Sequence, residues 1–304
     1  IKQMLDFKDI TLDSISETRP FLTRQNYRTC DYTIGGIMMW AEYFNYKYCI
    51  YKDMLYIIGN SANNFNDKSF AVPIGSGDFR ESVLLLRDYC LRNNMKLSFS
   101  AVPEDAVRTL GSIFKINVEK LEDWSDYLYN SSDLSTYRGR KFNRKRNHVN
   151  KFMKSYPDFE YERISETNIE AVKEFFNLFQ HDVSKDNDIF RNEEKMVKVV
   201  LDNYPVFGFS GGLIKVGGKI IAFTIGEIVN DTLFIHIEKA AREYSGVYET
   251  MSLRFAMDMV NDNIKYINRE EDVGDEGLKK SKMSFNPIAL LSKYDVEVLG
   301  LVNE

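Results

Sequence analysis

Apolar and polar positions follow the most regular pattern in the C-terminal half of the chain. Leu213 to Val216 and Lys219 to Ile225 read as strands joined by Gly217-Gly218, a two-residue link that takes the positive φ of a tight hairpin. Asn230-Asp231 marks the next turn, and Thr232 to Glu238 makes a third antiparallel strand. Val247, Met251, Phe255 and Met259 then recur every four residues, with Leu253 and Val260 beside them, the spacing of one buried helical face. A short strand at Lys265 to Ile267, a helix from Glu276 to Met283 and a last strand through Tyr294 to Leu299 follow.

The N-terminal half repeats this order. Tyr48 to Tyr51 and Met54 to Ile58 flank a Lys52-Asp53 turn, and Phe70 to Val72 is a third strand. The glycine-containing run Pro73 to Gly77 opens a helix from Asp78, its expected N-cap, to about Asn93. Strands at Lys96 to Ser100 and Ile113 to Val118 then flank a short helix from Pro103 to Leu110. This predicts an α/β (α+β) fold of two tandem units, each a mixed, mostly antiparallel sheet flanked by helices. The boundaries are 1–125 and 126–304, with the joint near Glu119 to Ser132 and a basic helix over 134–155. The same order is the core of the N-acetyltransferase-like (GNAT-like) acyltransferase fold, in which the N-terminus of the helix after the glycine loop suits a phosphate or a developing oxyanion.

Charge sharpens this picture. The 304 residues carry 40 Lys and Arg against 45 Asp and Glu, which excludes a protein that coats nucleic acid over its whole surface. Three cysteines give neither a disulfide framework nor metal-ligand spacing, and no metal site is expected. Charges at Lys2, Asp6, Lys8 and Asp9 interrupt the start, and no apolar run approaches a bilayer span, so a cytoplasmic location without an integral membrane segment is expected.

The charge is also segregated. Arg138 to Lys154 holds eight of the basic residues and no acidic one, leaving 32 basic against 45 acidic residues elsewhere. On a helix, Val149, Phe152, Met153 and Tyr156 form an apolar stripe, and continuing it backward brings up Lys145, Lys141 and Arg138. A cleft lined by these three, with Arg146, would suit the phosphates of a polyanion, while Arg140, Arg144 and Lys151 fall on the outer face. The alternative is that the inward basic residues pair with acidic residues near Glu270 to Asp272.

His236 and Glu238 alternate on one strand and are expected on one face, where His suits proton transfer and Glu can take a proton from an attacking amine. They would equally suit a polar network under the helix. Arg242 to Tyr248 occupies the donor-loop position, with Arg242 and Gly246 as phosphate-binding candidates, although Gly246 falls one residue late for a coenzyme A loop. Arg269, Glu270 and Asp272 follow directly on a short strand, where ligands collect in open α/β sheets, and Lys279 and Lys282 share a helical face aimed the same way. A salt-bridged helix end is the competing account of these charges.

Several separated segments also resemble one family. Asp126 to Tyr129, Gly139 to Asn147, Asn150 to Phe152, His236 to Ala240, Ile267 to Asp272 with Gly274, and Gly277-Leu278 through Lys282 to Pro287 resemble a bacterial family of largely uncharacterised soluble proteins related to the C-terminal domain of phosphatidylglycerol lysyltransferase. The resemblance runs from about Phe21 to Tyr294. It implies tandem N-acetyltransferase-like domains, as in the Fem transferases, and transfer of an aminoacyl group from a charged tRNA. Asp272, Gly274, Lys282, Phe285 and Pro287 fall on the related domain's motifs, and Gly246-Val247 on its helix-opening turn. Ser284 stands where the lysyltransferases would carry a second Lys.

The resulting expectation is an acyltransferase with no resident cofactor and an aminoacyl-tRNA co-substrate. Arg138, Lys141, Lys145 and Arg146 would hold donor phosphates. Glu238 or Glu270, with His236 and Asp272 nearby, would handle the acceptor proton, and Lys282 or Arg269 would steady the oxyanion. The acceptor is left as an amine, peptide or lipid. Two other readings stay open: an acyl-CoA-dependent N-acyltransferase, and a non-catalytic RNA- or partner-binding protein.

Overall fold

The structure, a computed structural model, describes residues 5–62, 64–182 and 187–303, without the side chains of 180–182; Lys2, one of the charges noted at the start of the chain, lies outside the described residues. The chain divides into two compact units, Ile1–Asp126 with Glu271–Gly274 and Leu291–Glu304, and Tyr127–Glu270 with Asp275–Leu290.

The first unit contains β1 (Lys8–Asp9), α1 (Ser14–Leu22), α2 (Ile34–Trp40), β2 (Lys47–Tyr51), β3 (Met54–Asn60), β4 (Lys68–Phe70), β5 (Ile74–Gly75), α3 (Phe79–Arg92), β6 (Ser98–Pro103), α4 (Glu104–Ile113) and β7 (Phe114–Lys120). The β2–β3 hairpin turns at Lys52 and Asp53, both at positive φ, as the two-residue connection requires. Asp78 caps α3 by accepting from the Glu81 N–H at 2.7 Å. After α3 the chain returns parallel to β4, and β4 and β6 meet at one position, Phe70 opposite Phe99, before parting.

The second unit follows the same plan. It contains β8 (Asp126–Asn130), α5 (Ser131–Thr136), α6 (Asn143–Ser155), β9 (Glu160–Arg163), α7 (Ile169–Asp182), α8 (Asp188–Asp202), α9 (Tyr204–Phe207), β10 (Ser210–Val216), β11 (Lys219–Val229), β12 (Thr232–Ala240), α10 (Val247–Met259), β13 (Tyr266–Asn268), α11 (Glu276–Met283) and β14 (Ala289–Leu291). Its sheet runs β14-β8-β13-β12-β11-β10-β9. The α10 stripe of Val247, Met251, Phe255 and Met259 is buried with Tyr129, Phe142, Phe152 and Ile267, each large apolar side chain contributing about 1.5–3 kcal/mol. Phe175 and Phe176 meet Phe223 edge-on at 6.0 and 6.1 Å, ordinary core contacts.

Two expectations change. The continuous basic helix over 134–155 does not form: α5 stops where Tyr137 turns left-handed at φ 47°, Gly139 follows at φ 90°, and α6 starts only at Asn143. Arg146 fixes this break by donating to the carbonyls of Tyr137 and Gly139 and to the Asn143 side chain. The last strand, β15 (Lys293–Leu301), forms where the pattern placed it but joins the first unit's sheet, antiparallel to both β6 and β7. That sheet therefore runs β1-β2-β3-β4-β6-β15-β7, with β5 on β3.

Candidate functional site in the second unit

β12 and β13 pair in parallel at Thr232–Tyr266, Leu233–Ile267 and Phe234–Asn268, and then separate. On its other side β12 pairs with β11, but Ile237 lies opposite Ile225 while Ile235 lies opposite Gly226, so His236 is the extra residue of a bulge. Gly226 is required there, because a Cβ would collide with the Phe234 carbonyl. The bulge reverses the alternation, so His236 and Glu238 do not share a face. His236 lies near the Phe209 and Phe234 rings, at 5.3 and 6.4 Å, whereas Glu238 stands opposite Thr224 and turns to Arg269.

The gap between the parted strands is spanned by two ion pairs. Arg269 Nη2 donates to Glu238 Oε1 at 2.8 Å, and His236 Nδ1 meets Glu270 Oε1 at 2.5 Å. His236 Nε2 also meets Glu227 Oε1 at 2.8 Å, and the ring is completely buried. Burial alone opposes charge on this ring, but Glu270 and Glu227 outweigh it and push the pKa up to about 10. At neutral pH both ring nitrogens therefore carry protons and donate, so His236 has no lone pair with which to act as a base. Glu270 is held at φ 58°, with its own N–H donating to Asn268 Oδ1 at 2.7 Å.

Arg269 is the centre of the site. Its guanidinium lies 4.3 Å over the Phe285 ring and 5.9 Å from Tyr129, and Lys282 Nζ donates to its carbonyl oxygen at 2.5 Å. Burial works against the charge, yet Glu238 holds the Arg269 pKa above its ordinary value. Its second amino group, Nη1, is buried and has no hydrogen-bond partner among the described residues, and the same is true of Thr224 Oγ1. Two unsatisfied polar groups thus flank Glu238, one from β11 and one from the end of β13. Unsatisfied buried groups cost about 1–3 kcal/mol each.

The basic segment divides differently from the helical projection. Lys145 is buried: its Nζ donates to Ser284 Oγ at 2.7 Å, pairs with Glu249 at 3.3 Å and lies 3.6 Å over Phe285. Burial lowers its pKa against the opposing pull of Glu249. The inward pairing foreseen for this segment therefore exists, but with Glu249 in place of the Glu270 to Asp272 cluster. Lys141 is exposed and pairs with Asp133 at 2.7 Å, while Arg146 is committed to the loop carbonyls. Arg138, Arg140 and Arg144 are exposed and make no ion pair among the described residues. Met153, placed on the apolar stripe, is exposed as well.

The remaining candidates scatter. Arg242 is exposed. Gly246 opens α10 at φ 86°, tight against the His148 carbonyl. Lys279 is exposed, 3.8 Å from Glu276. Asp272 belongs to the first unit, where its side chain accepts from the Gly274 N–H at 2.9 Å. Sequence reasoning missed Thr224, Glu227 and Glu249; Glu227 alone carried a signal, as a charge inside an otherwise apolar strand.

A family model described as phosphatidylglycerol lysyltransferase, C-terminal, matches residues 23–297. The chain belongs to that family. A conserved protein of unknown function from Bacteroides thetaiotaomicron VPI-5482 is 29% identical, with a TM-score of 0.89 over 97% of this chain and 100% of that one. The C-terminal domain of a putative lysylphosphatidylglycerol synthetase from Agrobacterium fabrum has a TM-score of 0.67 at 11% identity, over 94% of this chain and 91% of that one. FemX has a TM-score of 0.58 at 10% identity, over 97% and 98% of the two chains. These last two share the fold, two units of mixed sheet flanked by helices, as expected from the sequence. An uncharacterised protein of Mycoplasmoides gallisepticum is 24% identical over 187 residues, 61% of this chain, and the chain spans 60% of that relative's length. Among the described residues no helix is long and apolar enough to cross a membrane.

Proposed function

We propose that the second unit transfers an aminoacyl group from a charged tRNA to an amine or hydroxyl acceptor. The observation that carries this reading is the buried Arg269 Nη1, which has no hydrogen-bond partner among the described residues and lies beside Glu238 in the parting of β12 and β13. A fixed cation with an open N–H in a dry site is what a developing oxyanion needs. An aminoacyl ester is already activated, so the acceptor must chiefly be positioned and relieved of its proton.

In this scheme the acceptor nitrogen or oxygen attacks the ester carbonyl, and the oxyanion accepts from Arg269 Nη1 and from the Thr224 hydroxyl. Glu238, with 13% of its side chain exposed, takes the acceptor proton. The carbonyl re-forms, the bond to the tRNA ribose oxygen breaks, and that oxygen leaves with the proton. Lys282 positions Arg269 through its carbonyl. Glu270 and His236, locked to one another, hold the strands apart and do not exchange the proton. Donor phosphates fall to the exposed Arg138, Arg140, Lys141 and Arg144.

A second reading, a non-catalytic RNA- or partner-binding protein, has one observation in its favour: both Glu238 and Glu270 are engaged in ion pairs. Incubating the full chain with a labelled aminoacyl-tRNA pool and cell extract separates the two, with coenzyme A as the control donor. Transfer of label into an acceptor fraction, lost in Arg269→Leu, is expected. Retention of tRNA without transfer would leave the binding role standing in its place. Replacing Arg138, Arg140 and Arg144 with Ala should flatten the salt dependence of tRNA binding by about one unit of slope per lost phosphate contact. An unchanged slope removes the tRNA from the scheme.

A further inference from the structure

The first unit's sheet ends on β7, and among the described residues no strand pairs with the outer side of β7. Lys115, Asn117, Val118, Glu119 and Lys120 of this strand are exposed. A sheet edge of this kind invites pairing, and chains commonly blunt it with a proline, a bulge or charges of one sign. β7 has no proline, and its register against β15 is unbroken from Lys120 opposite Tyr294 to Ile116 opposite Val298.

The direction of the backbone groups on β7 follows from the strand beside it. The Val298 N–H donates to the Leu97 carbonyl, on the β6 side, at 3.0 Å, so the preceding Glu297 turns its backbone groups to β7 and its partner Asn117. The Leu121 N–H, which donates to the Lys293 carbonyl at 2.9 Å, gives the same phase from the other end. Asn117 and Glu119 therefore bond inward to β15, while Ile116, Val118 and Lys120 present their N–H and C=O groups outward. The side chains stop as abruptly as the ladder does. Val118 stands opposite the completely buried Val296, yet 39% of Val118 is exposed, so a row of core side chains runs out to the edge and ends there.

We propose that β7 is the interface of a two-fold homodimer, in which two copies of the chain pair antiparallel about Asn117 and their first-unit sheets become one. The outward phase admits only registers that set even-numbered residues opposite even-numbered ones. Among these, centring on Asn117 sets Lys115 opposite Glu119 of the second copy, twice by symmetry, and Ile116 opposite Val118. Centring one residue earlier sets Lys115 opposite Asn117 and Glu119 opposite Ile113. Centring one residue later sets Glu119 opposite Asn117 and Lys120 opposite Ile116. Both shifts lose the charge pairs, so Lys115 and Glu119 select one register from those the backbone permits. In that register Val118 and Ile116 continue the apolar row across the axis. A strand pair of this length makes a small interface, and the dimer is expected to be reversible. It rests on the first unit alone and is independent of the transfer chemistry proposed for the second.

Sedimentation velocity of the full chain from about 2 to 200 μM should show a concentration-dependent shift from monomer to dimer. Lys115→Glu and Glu119→Lys, both at exposed positions, should each weaken association by at least about tenfold while circular dichroism stays unchanged. Mixing the two variants should restore the dimer, because each then offers the other opposite charges in the same register. Asn117→Cys should form an intermolecular disulfide on mild oxidation, since the axis sets two such positions about 4.5 Å apart between Cα atoms, whereas Glu119→Cys should not. Cys30, Cys49 and Cys90 are buried and do not compete. A chain that stays monomeric throughout, a dimer indifferent to both charge changes, mixed variants that stay apart, or cross-linking of Glu119→Cys as readily as Asn117→Cys would overturn the proposal.

Discussion

Removing the charge of His236 should erase a defined part of the protein's pH dependence. The imidazolium is clamped between Glu227 and Glu270, and its pKa rises from 6.5 to about 10 on folding. Because the folded value is the higher one, the stabilisation is fully present below pH 6.5 and is lost as pH rises through 10. At about 1.4 kcal/mol per pKa unit, linkage gives about 4 kcal/mol at pH 7, falling to about 1–2 kcal/mol at pH 9. The difference, about 2–3 kcal/mol, corresponds to about 5–10 °C in Tm for a unit of this size. His236→Gln cannot carry the charge. It should be destabilised at pH 7 by about 3–5 kcal/mol, because two carboxylates lose their partner, and it should lack the extra fall between pH 7 and 9. The assay is differential scanning calorimetry of both proteins at half-unit steps from pH 6 to 10. If the variant's Tm tracks the native protein's over pH 7 to 9, His236 is not the charged strut described above.

Further outcomes follow from the same geometry. Glu238→Gln and Arg269→Leu should each destabilise the second unit by about 3–5 kcal/mol, and the double variant by clearly less than the sum; additive urea unfolding energies would mean that the pair is not coupled. Gly246→Ala meets both the left-handed backbone and the His148 carbonyl, and should cost about 2–5 kcal/mol, whereas Gly139→Ala, with open space around it, should cost about 1–2 kcal/mol; equal Tm losses would contradict the close approach. Arg146→Ala should lose about 1–3 kcal/mol and open the 137–142 loop to limited proteolysis, which native-like resistance would refute.

The elements themselves were largely legible. Spacings of two and four carried the hairpins, α3 and α10, because those faces are buried on one side only. Legibility failed where a single residue departs from the regular period. One extra residue at His236 reversed every side chain after it, and no alternating pattern announces a bulge. Tyr137 adopts a left-handed conformation that its residue type does not favour, so the basic run looked like one helix. The buried Lys145 was found because a basic residue stood on an apolar stripe, but its partner Glu249 sits on another helix and leaves no trace in the local sequence. Thr224 became visible only when the register placed it opposite Glu238.

The position of β15 has a consequence for how the molecule comes into being. Its residues 293–301 lie between β6 and β7, and Lys293 pairs with the buried Asp126 and Glu271 of the first unit. During synthesis the first unit must therefore wait, with an unfilled slot in its sheet, until residues 293–301 have left the ribosome. The second unit, contiguous from 127 to 270 in most of its sheet, can assemble meanwhile. Of the two units, the one begun first is finished last, so holdase chaperones and early proteolysis should act on residues 5–126 of nascent chains.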